Sequence, residues 1–309
     1  MYFRSLAFAC TFACVAGTAP ALAQSAFGVD PAPSIELPGL NQYAPSVAAP
    51  EDAPRVREVE MEALLQQGGG PLGQGLTWRV FHTIPGTDGK LPLLATAEGG
   101  SARFEFEPGE YFIHVAFGRA GVTKKLVVLE TGPVEKQTLV LDAGGLVLNA
   151  VSGSDVRIPP AQLKFHIYRA EESDEDERQL VADDVRPDTI VRLNQGTYHI
   201  VSDYGAVNAV IRSDIRVEAG KLTEAVIQHR AAQLTLKLVS EPGGEAIADT
   251  AWSILTSAGD IVSESVGAFP TLVLAEGLYT AIARNKEQVY QRDFEVEAGR
   301  NSDVEVLLK

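Results

Sequence analysis

From Arg55 onward the chain alternates apolar and polar residues with a period of two, interrupted at short intervals by Gly, Pro, Asp and Asn. That period sends successive side chains to opposite faces of a strand. Val56, Glu58, Glu60 and Glu62 alternate with Arg57, Val59, Met61 and Ala63 until Leu64 breaks the series. Three further strands have one form: Leu76-Thr77-Trp78-Arg79-Val80-Phe81, Leu163-Lys164-Phe165-His166-Ile167-Tyr168 and Thr250-Ala251-Trp252-Ser253-Ile254-Leu255. No stretch sustains a helical apolar stripe. Short strands bounded by turn residues predict an all-β chain of sandwiches.

The strands recur in order. A Gly-x-Tyr segment follows each aromatic strand: Gly109-Glu110-Tyr111, Gly196-Thr197-Tyr198 and Gly277-Leu278-Tyr279. The interval from Trp78 to Tyr111 equals that from Phe165 to Tyr198, and is shorter from Trp252 to Tyr279. Glycine permits a turn at positive φ, and the tyrosine then buries its ring while its hydroxyl stays at the core rim. Val217-Glu218-Ala219-Gly220 and Val296-Glu297-Ala298-Gly299 precede closing strands, with Leu129-Glu130-Thr131-Gly132 as the degenerate copy. The predicted modules are 56–143, 144–230 and 231–309. Their junctions, Asp142 to Gly145 and His229 to Ala232, are short enough to favour a semi-rigid rod.

The N-terminus changes the setting. Arg4, an apolar run from Ser5 to Ala19 and Ala21-Leu22-Ala23 form a signal peptide over 1–23, which predicts export to the periplasm. Residues 24–55 read as a disordered Pro/Ala-rich tether, since Pro31, Pro33, Pro38, Pro45, Pro50 and Pro54 block helix and central strand. The alternative for this segment is an extended recognition element anchored by Ile35, Leu37, Leu40 and Tyr43. Both cysteines, Cys10 and Cys14, lie inside the signal, so cleavage leaves no disulfide. The apolar run is short for a membrane span, and none follows it, so an integral membrane protein is not expected. A net charge of −15, from 26 basic and 41 acidic residues, argues against nucleic acid as a partner.

Candidate chemistry is sparse. His82, His114, His166, His199 and His229 show no metal-ligand spacing, and His114 and His199 are expected on the outer face, opposite the tyrosines. The run Glu171, Glu172, Asp174, Glu175, Asp176, Glu177 is crowded and lacks the glycine of a calcium loop. It reads as a solvated hairpin tip and a possible interaction surface. Ser202, Asp203 and His199 lie close in sequence but on one strand end, without the converging support of a triad. Trp78 and Trp252 occupy equivalent positions, which favours a core role over sugar stacking. Tyr204 and Tyr290 are the aromatics placed for an exposed surface. No cofactor, metal or catalytic residue is expected. If there were an enzyme site, the junction at His229-Arg230 would be its place.

Glu107-Pro108-Gly109-Glu110-Tyr111 and Glu241-Pro242-Gly243-Gly244 resemble the carboxypeptidase-regulatory, prealbumin-like sandwich family, with Asn194-Gln195-Gly196 departing from its Pro-Gly turn. That resemblance implies immunoglobulin-like/prealbumin-like β-sandwich modules with accessory or adhesive roles. Over residues 56 to 309 the chain also resembles exported proteins of alphaproteobacteria, through Gly75-Leu76-Thr77-Trp78-Arg79-Val80-Phe81, Gly196-Thr197-Tyr198-His199-Ile200-Val201-Ser202 and Val217-Glu218-Ala219-Gly220-Lys221-Leu222-Thr223-Glu224. It implies an envelope location. The expectation is a non-enzymatic scaffold or protein-interaction protein whose partner is an envelope protein. The alternative is a binder of carbohydrate or peptidoglycan, with cell-wall glycan as the partner.

Overall fold

Strand pairing resolves the chain into three two-sheet sandwiches. The computed structural model describes residues 56–170 and 178–308. The predicted signal peptide, the tether and the acidic run Glu171 to Glu177 lie outside the described residues. The first sandwich contains β1 (Arg57–Leu64), β2 (Leu76–His82), β3 (Leu93–Gly99), β4 (Ala102–Phe106), β5 (Gly109–Phe117), β6 (Ala120–Val128) and β7 (Gln137–Val140). Its sheets have the orders β4-β1-β7 and β3-β2-β5-β6. All neighbours are antiparallel except β1 and β7, where Met61 sits opposite Gln137.

The pattern repeats twice. β8 (Ala143–Ser152), β9 (Val156–Arg157), β10 (Leu163–Arg169), β11 (Leu180–Val185), β12 (Val191–Asn194), β13 (Gly196–Tyr204), β14 (Val210–Val217) and β15 (Leu222–His229) form the second sandwich. Here β12-β8-β15 faces β11-β10-β13-β14, and the two-residue β9 is an addition paired to β8. The third contains β16 (Ala231–Val239), β17 (Thr250–Thr256), β18 (Ile261–Val266), β19 (Thr271–Ala275), β20 (Gly277–Asn285), β21 (Gln288–Val296) and β22 (Ser302–Leu307). Its sheets are β19-β16-β22 and β18-β17-β20-β21. In each sandwich the first strand pairs parallel to the last.

Each sandwich has its own core, filled from alternate positions as the period required. Trp78, Val80, Ile113 and Val115 anchor the first, Phe165, Ile167, Tyr198 and Ile200 the second, and Trp252, Ile254, Tyr279 and Ala281 the third. Trp78 and Trp252 are 0% and 1% exposed. Their indole N–H groups donate to the carbonyls of Gly100 at 2.8 Å and Gly267 at 3.0 Å. Tryptophan buries a large apolar body only when its N–H finds a partner. Both therefore seal the core, and neither offers a face for sugar stacking.

The three tyrosines share a bond that the sequence indicated only as a rim position. Each hydroxyl donates to the carbonyl four residues upstream: Tyr111 to Glu107 at 3.0 Å, Tyr198 to Asn194 at 2.8 Å and Tyr279 to Ala275 at 2.9 Å. Such tyrosine corners fix the turn that carries the chain from one sheet to the other. The glycines are less uniform than expected. Gly196 and Gly277 both have φ +155°, whereas Gly109 does not take positive φ. An added Cβ at Gly109 would meet only its own Tyr111 ring, at 3.5 Å. The tyrosine bond is thus the invariant part of the motif.

Candidate functional site at the module joints

Modules meet through almost no linker. Only Leu141 and Asp142 separate β7 from β8, and Arg230 alone separates β15 from β16. At the first joint, Gln195 N–H donates to the Asp142 carbonyl at 2.6 Å; at the second, Glu276 N–H donates to the Arg230 carbonyl at 2.8 Å. Gln195 and Glu276 are the residues just before Gly196 and Gly277. The tyrosine corner of each following module is therefore pinned to its own linker.

An asparagine completes each joint, reached from opposite sides. Asn194, on β12, accepts from Gly121 N–H at 3.2 Å and donates to the carbonyls of Gly121 at 3.2 Å and Leu141 at 2.7 Å. At the second joint Asn208, between β13 and β14, accepts from Ala275 N–H at 2.9 Å and donates to the Tyr279 hydroxyl at 2.9 Å. The Arg192 guanidinium also covers the Phe117 ring at 4.5 Å across the first joint. Arg230 and Glu276 pair at 2.6 Å across the second.

The departure of Asn194-Gln195-Gly196 from Pro-Gly is explained here, because proline at position 195 would remove the N–H that donates to the Asp142 carbonyl. Replacing Tyr279 by Phe should cost about 1–2 kcal/mol, since it orphans the Ala275 carbonyl and strips Asn208 of an acceptor. Tyr111→Phe, whose hydroxyl bonds the Glu107 carbonyl but meets no asparagine among the described residues, should cost less. Chemical denaturation of the two variants checks the difference.

Beside each joint lies a groove. The first, about 490 Å³, is bounded by Arg119, Arg192, Asp183 and Asp184. The second, about 440 Å³, is bounded by Val207, Pro270, Leu272, Ser263 and Ser265. Both run beside the outer edge of a four-stranded sheet, along β11 and β18 respectively. Position is repeated while lining is not: the first groove is lined by arginines and aspartates, whereas the second is largely apolar with Lys164 as its charged residue.

Edge strands show a second asymmetry. The edges β6, β14 and β21 carry charged pairs such as Lys124-Lys125, Arg212-Asp214 and Arg292-Asp293. Charges on an edge discourage pairing with another chain. The opposite edges β3 and β18 contain one acidic residue each, Glu98 and Glu264. They expose Leu93 and Leu94, at 53% and 50%, and Ile261 and Val266, at 59% and 77%. These are the surfaces on which an extended partner segment could add as a strand.

Several sequence candidates fall elsewhere. Tyr204 is 4% exposed, inside the second core and edge-on to the His229 ring at 5.8 Å. This corrects its expected surface position. It follows Tyr198, Ile200 and Ser202 at period two, so it shares their inward face. Tyr290 is half-buried against the third core, its hydroxyl donating to Gln288 Oε1. Ser202, Asp203 and His199 are not brought together: Ser202 points inward, while His199 bonds Asp214 at 2.7 Å on the outer face. His114 also faces outward, to Thr123 at 2.9 Å, and burial and the Arg79 charge lower its pKa. His166 lies between Asp183 at 2.5 Å and Asp203 at 2.9 Å.

The junction residue His229 is 1% exposed, and its Nε2 lies 2.8 Å from the Ser202 hydroxyl, itself 0% exposed. Its Nδ1 makes no hydrogen bond. A serine–histidine pair with no carboxylate on the second nitrogen and no opening to solvent lacks both the orienting group and the access of a catalytic dyad. Sequence reasoning missed this pair because it joins strands β13 and β15 from distant positions. No group of three or more histidine, cysteine or acidic side chains forms a metal-ligand cluster among the described residues. No described helix is long and apolar enough to cross a membrane.

The family model of the Rhizobiales growth-associated tandem repeat domain matches residues 233–308, within the third sandwich. No curated protein matches the chain. Among solved structures, the TIE protein of Bacillus anthracis is 16% identical, with a TM-score of 0.25, over 82% of this chain and 50% of its own length. The major pilin subunit BcpA of Bacillus cereus is 11% identical, with a TM-score of 0.24, over 82% of this chain and 100% of its own. The minor pilin GBS52 of Streptococcus agalactiae is 12% identical, with a TM-score of 0.29, over 56% and 95%. The third sandwich is thus similar to a described tandem repeat. The fold of all three rests on their own strand pairing.

Proposed function

We propose that the protein is a non-enzymatic scaffold of the cell envelope, exported to the periplasm, that holds a partner protein along its exposed sheet edges. One observation carries this reading: two successive joints use the same positions, with linkers of one or two residues and an asparagine bridge in each. Such joints restrict bending and keep the lightly guarded edges β3 and β18 in a fixed relation. The resemblance to carboxypeptidase-regulatory sandwiches, whose modules are usually accessory or adhesive, supports the same role. A stiff array costs little entropy when a long partner segment docks on it.

Affinity capture with the mature chain from a bacterial envelope extract tests the reading, with bound proteins and glycans identified separately. A protein partner should be retained, and the double substitution Leu93→Lys/Leu94→Lys should weaken its capture at least tenfold, because charge on an edge opposes strand addition. Both side chains are exposed, so stability should change by no more than about 0.5 kcal/mol. Capture of glycan without protein would replace the scaffold by a carbohydrate binder.

A further inference from the structure

His229 ends β15, one residue before the third module begins, and it has no polar counterpart in the first module. Tyr198 precedes Ser202 by the same interval as Tyr111 precedes Val115, and His229 precedes Ala231 as Leu141 precedes Ala143. The apolar pair Val115 and Leu141, 0% and 1% exposed, therefore occupies the place of Ser202 and His229. An apolar wall has been exchanged for a buried imidazole at one joint only. The imidazole is held in strands that also carry the joint: His229 lies opposite Ser152 on β8, and the Ser152 hydroxyl donates to the Ala231 carbonyl. Gly153 N–H donates to the His229 carbonyl at 3.1 Å.

We infer that the second joint is an acid-sensitive hinge, which opens when His229 takes up a proton while the first joint stays closed. A buried imidazolium needs an acceptor on each nitrogen. Here Nε2 meets only the Ser202 hydroxyl while Nδ1 makes no well-formed hydrogen bond, the Ala209 carbonyl being the backbone acceptor that acts on the ring. An unpaired buried charge is expensive, so the protonated ring favours a conformation that exposes it. On β13, the Asp203 carboxylate acts on the ring from outside the core, but it is already bonded to His166. Tyr204 presents a ring edge from the same strand. From the segment before β14 comes the Ala209 carbonyl. On the side of the third module, the next charges are the mutually paired Arg230 and Glu276.

The sign follows from the two states. Burial pushes the His229 pKa down to about 4, outweighing the attraction of Asp203 and the Ala209 carbonyl. Exposed imidazole titrates near 6.5. The closed joint therefore keeps its full stability above about pH 6.5 and loses it progressively as pH falls towards 4. This inference concerns the joint itself and does not depend on the scaffold reading.

Hydrogen–deuterium exchange of the mature protein, corrected for the intrinsic pH dependence of exchange, tests it between pH 7 and pH 4.5. Amides of β16 and of the turn after β8 should lose protection by roughly tenfold or more by pH 5. Those at the first joint, from Leu141 to Gly145 and at Gly121, should not. Substituting the first module's pair, Ser202→Val/His229→Leu, should abolish the acid response at the second joint. His229→Gln is the second variant should the double one fail to fold. Equal acid loss at both joints, an unresponsive second joint, or an unchanged response in a folded variant would overturn the hinge.

Discussion

Replacing Trp252 by Ala is expected to unfold the third sandwich under conditions that leave the first intact. The side chain is 1% exposed and is among the largest fully buried in the protein. Removing it empties the centre of a core that also contains Ile254, Tyr279 and Val296. It also strips the Gly267 carbonyl of its donor. Large aromatic-to-alanine changes of this kind cost about 3–5 kcal/mol, the transfer loss adding to the cavity left behind. For a module of this size that is a large part of the total stability. The protein has two tryptophans, so the variant retains Trp78 as its one indole reporter, located in the first core. Urea unfolding followed by circular dichroism should show an early transition, while Trp78 fluorescence changes near its original midpoint. Trp78→Ala should reverse the assignment. If both probes moved together in each variant, the joints would couple the sandwiches into one cooperative unit, and module-by-module stability would be wrong.

The sandwich architecture was legible because it depends on local signals that repeat. Alternation chose the inward faces, and the matching intervals from Trp78 to Tyr111 and Phe165 to Tyr198 kept the repeats in register. The shorter interval in the third module has a simple cause. The hairpin between β17 and β18 spans only 257–260, where the equivalent connections span 83–92 and 170–179. Parity also bore on Tyr204 and Ser202, which share the inward face of Tyr198 and Ile200. Reading Tyr204 as exposed rested on its having no equivalent in the other modules, which says nothing of parity. His199 and Asp203 fall on the other face by the same rule, which is why the local Ser-Asp-His grouping dissolves.

The joints were legible only in part. Short junctions pointed to stiffness, but the bonds that create it connect residues remote in sequence, such as Asn194 with Gly121 and Asn208 with Ala275. Two asparagines reach equivalent joints from opposite partners, so no aligned column of the repeat contains both. Only Gln195, standing where the motif has proline and donating its N–H to the Asp142 carbonyl, left a trace. The Ser202–His229 pair left none, since it requires knowing that β13 and β15 face each other across one core. The partner surface is harder still, because edge exposure depends on which strand ends each sheet and not on the strand's own composition.

Gly144→Ala should destabilise the second sandwich by about 3 kcal/mol, near the upper end for overpacking. Gly144 lies on β8, fully enclosed, where a Cβ would strike the Glu218 carbonyl and approach Val217 Cγ1 to 2.9 Å and the Lys221 carbonyl to 3.0 Å. Two of these three obstacles are backbone, so no rotamer change relieves them. The turn from Glu218 to Lys221 would have to retreat. That turn is tied to the start of β8 by Gly220 N–H donating to the Ala143 carbonyl at 2.8 Å, and Gly220 lies against the Gln66 side chain of the first module. Strain at Gly144 therefore reaches both the core and the first joint. Gly70→Ala is the matched control: nothing lies within 4 Å of its Cβ position, and its backbone is outside the left-handed region. It should change stability by less than about 0.5 kcal/mol. In the Gly144 variant, raised exchange at Ala143 and Gly220 should accompany the lower unfolding midpoint. A fully stable Gly144→Ala protein would mean that the 218–221 turn yields freely, and a joint whose supporting turn yields freely cannot act as a stiff spacer.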